Sequence, residues 1–271
     1  MGARPYCRAE LNYLGESGIE PGAVEVLDAR MADTTFSWRE QGFELVQLPC
    51  DVTNWSDEQQ LTEKFLPEIE ALAKRETQCD FVLFYPPIIR SRERAAASAD
   101  LAPVQLAHSD YTEAYRAMLN EEQHPYQAII GPSMRRAGVT LEDVRSARRL
   151  VTLQIWRNTG SADMDYPLAL CDANTVARDA LMPLLVEEYG GVRTQFESFA
   201  LLPPQPDESR AWYTFPRLAG DEVLLFRAYD SEAADSGRPF WTPHTAFRDP
   251  VVGENASPRE SVEVRALCFS R

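Results

Sequence analysis

The chain has 271 residues, 44% of them hydrophobic, enough for one large core. Its 27 basic residues face 42 acidic ones, a formal net charge of -15 that on average repels phosphate backbones and anionic membranes and argues against nucleic acid as a partner. The opening stretch MGARPYCRAELNYLGE lacks a signal-peptide apolar run, no later stretch approaches a membrane span, and the cysteines stand singly without a CxxC pair, so a cytoplasmic protein with reduced thiols is expected.

In chain order, the first hundred residues carry strand-like runs at FELVQLPCDV and CDFVLFYPPII with one helix between them. That helix, in SDEQQLTEKFLPEIEALAKRE, is expected to be capped by Ser56, to turn Leu61, Phe65, Ile69 and Leu72 to one face, and to kink at Pro67. RERAAASADLAP, residues 92–103, reads as a mobile loop or lid, or as a plain surface connection. A second helix is predicted after Thr112 at EAYRAML, and a third from near Asn174 through VARDALMPLLVEEY to Gly190 and Gly191. The rest is strand-length runs (RLVTLQIWRNT, YPLALCD, TQFESFALLPP, AWYTFPRL, DEVLLFRAYDS, FWTPHTAF, RESVEVRALCF) separated by Pro, Gly, Asp and Ser. This rhythm predicts a mainly β sandwich or closed barrel with flanking helices. One domain over 1–271 is expected, in which a mixed α/β portion, 1–106, packs on barrel strands from 107–271.

Only three histidines occur, and one opens the sequence His108-Ser-Asp110. On a strand, residues i and i+2 project from the same face, so His108 and Asp110 present an imidazole and a carboxylate together. Such a pair is often a simple hydrogen-bonded couple. With a second, distant histidine it becomes the facial triad that binds Fe(II) and leaves positions open for a bidentate cosubstrate and dioxygen. His244, in WTPHTAF, is the natural third ligand, because His124 lies in a polar, proline-bearing stretch.

Fifteen residues after His244, PRESVEVRALCF sets Arg259, Ser261, Glu263 and Arg265 on one strand face and Val262 and Val264 on the other. A charged strand face is either solvated or built for an anion. An arginine fork with a hydroxyl two residues on suits the distal carboxylate of 2-oxoglutarate. Arg157, beside Trp156 in LQIWRN, is a candidate for a substrate or cosubstrate carboxylate or for an outer-face ion pair. Tyr111 and Thr112 are candidates to hydrogen-bond Asp110 or touch substrate, or else to pack in the strand.

The stretches RAELNYL, GFELV with DVTNW, HSDYT, LQIWRN, PLALCD, DEVLLFRAYDS, TPHTAF and RESVEVRAL together resemble a family of fungal and bacterial secondary-metabolite oxygenases. That family includes the cephamycin 7-alpha-methoxylation component, a fungal gibberellin desaturase, the aspergillic acid hydroxylase and aziridine-forming amino-acid oxygenases. The resemblance implies a double-stranded β-helix (jelly-roll, cupin-like) fold. His108, Asp110 and His244 fall on the family's metal pattern, and Arg259 on its 2-oxoglutarate arginine. DFVLFYPPIIRSR departs from the Phe-Asp-His-Thr-Ile-Arg-Arg phrase of relatives, and the segment 120–149 is longer and more polar than theirs.

The expected function is an Fe(II)/2-oxoglutarate-dependent oxygenase that uses O2 to hydroxylate, desaturate or cyclise a small molecule. YPPIIRSRERAAAS and HPYQAIIGPSMRR are expected to wall the pocket, and their arginines (Arg90, Arg92, Arg94, Arg135, Arg136) favour an amino-acid-derived or carboxylated substrate. The rival reading is a catalytically silent jelly roll that binds a metal or partner within a two-protein enzyme.

Overall fold

The computed structural model describes residues 3–271. Strands β1 (Pro5–Gly15) and β2 (Gly18–Asp28) form a long antiparallel hairpin. After β3 (Phe43–Gln47) the chain enters the helical segment of α1 (Glu58–Gln60), a π-helical turn (Leu61–Phe65) and α2 (Leu66–Thr77). The cap is Asp57 rather than Ser56: its Oδ1 accepts from the backbone N–H groups of Gln59 and Gln60 at 2.9 and 3.2 Å. The π turn takes up the irregularity expected at Pro67, which lies in the first turn of α2, where no N–H is needed. Leu61, Phe65, Ile69 and Leu72 are buried together, as their spacing requires.

Strands β4 (Phe81–Phe84) and β5 (Ile88–Arg90) follow, then α3 (Arg92–Ala97), β6 (His108–Ser109) and helices α4 (Tyr115–Asn120), α5 (Gln127–Ala137) and α6 (Leu141–Ser146). The stretch 92–103, read as a loop, thus begins with a helix capped by Ser91, and most of the polar segment 120–149 is helical. The remaining strands are β7 (Arg149–Asn158), β8 (Leu168–Cys171), β9 (Leu181–Tyr189), β10 (Val192–Leu201), β11 (Trp212–Thr214), β12 (Glu222–Asp230), β13 (His244–Ala246) and β14 (Ser261–Ser270), with α7 (Ser231–Asp235) after β12.

The third helix read from the sequence is instead β9. Pro183 weakens any helix there, and β9 is the outermost strand of its sheet, where proline is tolerated. Gly190 and Gly191, read as a helix stop, both have positive φ (60° and 78°) and make the tight turn into β10.

Two sheets result. One has the order β1-β2-β11-β8-β13-β6-β10-β9; the other runs β3-β12-β7-β14-β4, with β5 also pairing β14. Strands from the first 106 residues stand at one edge of the first sheet and both edges of the second. The architecture is mainly β, a jelly roll with flanking helices. Alternation along β14 decides what each side sees. Val262, Val264, Ala266 and Cys268 pack with Ile69 and Leu72 of α2, while Glu263 and Arg265 turn toward the first sheet and line a cavity with His108 and His244.

Candidate active site

His108 of β6 and His244 of β13 are direct cross-strand partners, and their ring centroids lie 4.3 Å apart. Asp110 follows β6 at once. Ligand atoms of His108, Asp110 and His244 all lie within 4.8 Å of one another, close enough for one ion. Each imidazole donates Nδ1–H to the carbonyl two residues earlier, His108 to Leu106 at 2.8 Å and His244 to Thr242 at 3.0 Å. Those bonds leave the Nε2 lone pairs for a metal. Asp110 Oδ1 accepts from Arg265 Nη2 at 2.9 Å, whereas Oδ2 is buried without a partner. Two imidazole Nε2 atoms and one orphaned carboxylate oxygen fit a first-row divalent ion such as Fe(II).

The electrostatics keep His108 and Asp110 in ligand form. Burial, reinforced by His244, pushes the His108 imidazole down to about 4. Burial also pushes Asp110 up, but Arg265 foremost and then the two histidines outweigh it and hold the carboxyl at about 2.

Across the cavity stand Arg90, Arg259, Glu263 and Arg265, with Gln154 from β7. The three guanidiniums differ in what balances them. Arg90 pairs with Glu263 at 3.2 Å and Arg265 with Asp110 at 2.9 Å. Arg259, 4% exposed, has no ion-pair partner among the described residues; its Nε donates to Ser261 Oγ at 3.1 Å, its Nη1 to Tyr166 O at 3.3 Å, and it lies 4.8 Å from the Trp156 ring. Burial, with Arg90 nearby, pushes it down to about 9. A buried cation without an anion is costly, and a carboxylate entering this cavity removes that cost.

Other candidates lie elsewhere. Arg157 is turned away from the cavity, because it follows Trp156 by one residue and successive strand residues face opposite sides. It donates to the carbonyls of Gly220 and Leu48 and lies 5.4 Å from the rings of both Trp55 and Phe65. Neither Tyr111 nor Thr112 hydrogen-bonds Asp110: Tyr111 Oη meets Tyr126 Oη at 3.0 Å and Thr112 donates to Glu197 at 2.9 Å. Tyr111 stacks on Tyr115 instead. His124 is half-buried away from the triad and accepts from the Tyr126 N–H. Sequence reasoning missed Gln154, whose Oε1 is buried without a partner, although its even-numbered alternation with Trp156 was there to be read.

A jelly roll with an open His-Asp-His donor set is the architecture of the Fe(II)/2-oxoglutarate-dependent dioxygenases, and the chain is an enzyme of that class. Over residues 8–269 it matches, and it belongs to, the family described as Oxidoreductase/YMDC permease-like domain. No helix among the described residues is long and apolar enough to cross a membrane. The chain is similar to the Fe(II)/2-oxoglutarate-dependent dioxygenase nvfI of Aspergillus novofumigatus, 28% identical over 257 residues that cover 92% of this chain and 84% of that one. It is also similar to the hydroxylase/desaturase efuI of Hormonema carpetanum, 27% identical over 266 residues, 91% and 83% of the two chains. The solved iron and alpha-ketoglutarate-dependent endoperoxidase NvfI shares the fold, with a TM-score of 0.74 at 24% identity over 98% of each chain. The resemblance read from the motifs therefore holds at the level of fungal iron and 2-oxoglutarate enzymes. The cephamycin, gibberellin, aspergillic acid and aziridine-forming members are not among the relatives named here.

Proposed function

We propose that the chain oxidises an unactivated C–H bond of a small molecule in secondary metabolism, by hydroxylation, desaturation or ring closure, and that it works in the cytoplasm. His108 and His244, through Nε2, and Asp110, through Oδ2, hold the iron. The chemistry that Fe(II) supplies when bound is reduction of dioxygen coupled to oxidative decarboxylation of 2-oxoglutarate to succinate and carbon dioxide. Arg259 receives the distal carboxylate of the cosubstrate, with Ser261 fixing its guanidinium. Trp156 and the surrounding strands keep water from that ion pair, which strengthens it. Tyr111 acts at a distance, bracing Tyr126.

One observation carries this reading: of the three arginines around the cavity, buried Arg259 alone makes no ion pair among the described residues. The names of the two curated relatives support it. Support is weaker for an amino-acid or carboxylated substrate, because Arg92, Arg135 and Arg136 are exposed and Arg90 is engaged by Glu263 and backbone carbonyls.

The test is uncoupled consumption of 2-oxoglutarate with Fe(II), ascorbate and oxygen. Wild type consumes it; His108→Ala, Asp110→Ala and His244→Ala do not, while circular dichroism reports an intact fold. Arg259→Ala weakens 2-oxoglutarate roughly 30-fold or more. Absence of any consumption and of any 2-oxoglutarate binding in the wild type refutes the reading in favour of a silent binding component.

A further inference from the structure

Beside the metal cavity lies a cleft of about 400 Å³, a size suited to a small molecule. Pro86 and Pro87, Ile129 and Pro132 of α5, and Val192 and Phe196 of β10 give it apolar walls, and Arg265 is its one charged lining residue. Arg265 also lines the triad cavity, so a molecule seated on it lies next to Asp110.

The polar groups of the lining are otherwise engaged. Tyr85 Oη meets Tyr115 Oη at 2.8 Å, Tyr126 Oη meets Tyr111 Oη at 3.0 Å, Tyr189 Oη donates to Asp100 O at 3.0 Å, and Thr194 Oγ1 donates to Val186 O at 3.0 Å. Arg265 differs. Its guanidinium has five N–H donors, makes its hydrogen bond to Asp110 from Nη2, and leaves Nε buried without a partner. Its charge is already balanced, by Asp110 at 2.9 Å and Glu263 at 3.7 Å. A second anion would sit close to both acids, and no lining carboxylate awaits an ammonium group.

We propose that this cleft is the substrate site, that it takes an uncharged, mostly apolar molecule, and that Arg265 receives one carbonyl or hydroxyl oxygen of it while holding Asp110. The proposal rests on the reading of the triad as the iron site. It makes Arg265 both the positioning residue of a ligand carboxylate and the selector of where substrate is presented.

The test uses full-length protein loaded with Ni(II), which holds the site without turnover, and 2-oxoglutarate. Isothermal titration calorimetry first follows the loading itself; failure there refutes the iron-site reading and not merely this one. Loaded protein is then titrated with the sesquiterpene ketone nootkatone, with valencene, which has the same skeleton without the carbonyl, and with L-phenylalanine. The ketone is expected to bind roughly tenfold or more tighter than the hydrocarbon, and phenylalanine not at all. Arg265→Lys, which retains a charge for Asp110, narrows the ketone preference; Ile129→Arg blocks both terpenoids while Ni(II) and 2-oxoglutarate still bind. Equal binding of ketone and hydrocarbon, tighter binding of phenylalanine, or no terpenoid binding to loaded protein overturns the proposal.

Discussion

Arg265 Nη2 stands 2.9 Å from Asp110 Oδ1, while Oδ2 of the same carboxylate is buried and unpartnered. The contact joins β14 of one sheet to the residue that follows β6 in the other, so the carboxylate is aimed by both sheets. It also settles ionisation: burial favours the neutral acid, and Arg265 overrides it.

Arg265→Met is therefore expected to weaken Ni(II) or Fe(II) binding about 10- to 100-fold. The loss should be larger at pH 6 than at pH 8. Without Arg265, burial raises the Asp110 carboxyl, and protons compete with the metal. Metal titrations at the two pH values check this, and equal affinity for variant and wild type at both would leave Arg265 without a positioning role.

Acid should destabilise the metal-free protein through His108. Burial, with His244, pushes its folded-state value down to about 4, against about 6.5 in an unfolded chain. Between those values the unfolded chain binds the extra proton. The contribution is thus complete above about pH 6.5 and is lost as pH falls toward 4, by at most about 3 kcal/mol. Asp110, also depressed, adds loss of the same sign at lower pH, between its unfolded value near 3.8 and about 2. Urea unfolding of EDTA-treated protein at pH 7.5 and 5 should show the fall, and His108→Gln should flatten its upper part.

Which features were legible follows from which signals are local. HxD, the distant histidine and the alternating face of β14 can be read along single strands, and these residues do meet across the two sheets. The failures came where local and tertiary signals conflict. Leu184, Leu185 and Val186 read equally well as a helix face, but β9 gains its backbone partners from β10, which periodicity cannot see. Arg157 lies off the cavity through parity, since one residue's displacement on β7 moves a side chain from the cavity to the side of Trp55 and Phe65. The Arg265 to Asp110 bond spans 155 positions, and no spacing rule announces it.

Arg157 gives the matching negative prediction. Its guanidinium supplies donors to Gly220 O and Leu48 O under the rings of Trp55 and Phe65. Arg157→Met strands those buried carbonyls, at a cost on the order of 3 kcal/mol. Affinity for 2-oxoglutarate should not change. Denaturant unfolding and calorimetry on the same variant separate the two effects, and a selective loss of cosubstrate binding without loss of stability would return Arg157 to the site.

Arg90 ties the cavity to what covers it. Its Nη1 donates to the carbonyls of Asp100 and Ala102, each at 2.7 Å, and its Nη2 to Tyr189 Oη at 2.6 Å and Glu263 at 3.2 Å. Gly190 N–H adds a bond to Asp100 Oδ2 at 2.8 Å. One side chain thus binds the segment after α3, the turn between β9 and β10, and the acid next to Arg265. Arg90→Met removes all four bonds and leaves Glu263 buried with only the longer 3.7 Å contact to Arg265. The segment 98–104 and the turn at 189–191 should then exchange backbone hydrogen faster, by at least roughly tenfold if opening becomes easier by about 1.4 kcal/mol. Freed from Arg90, Glu263 competes with Asp110 for Arg265, so metal affinity should fall along with protection. Hydrogen exchange with mass spectrometry, run with and without Ni(II), reads both; unchanged exchange in the two segments would mean that the clasp is held by the Gly190 and Tyr189 contacts to Asp100 alone.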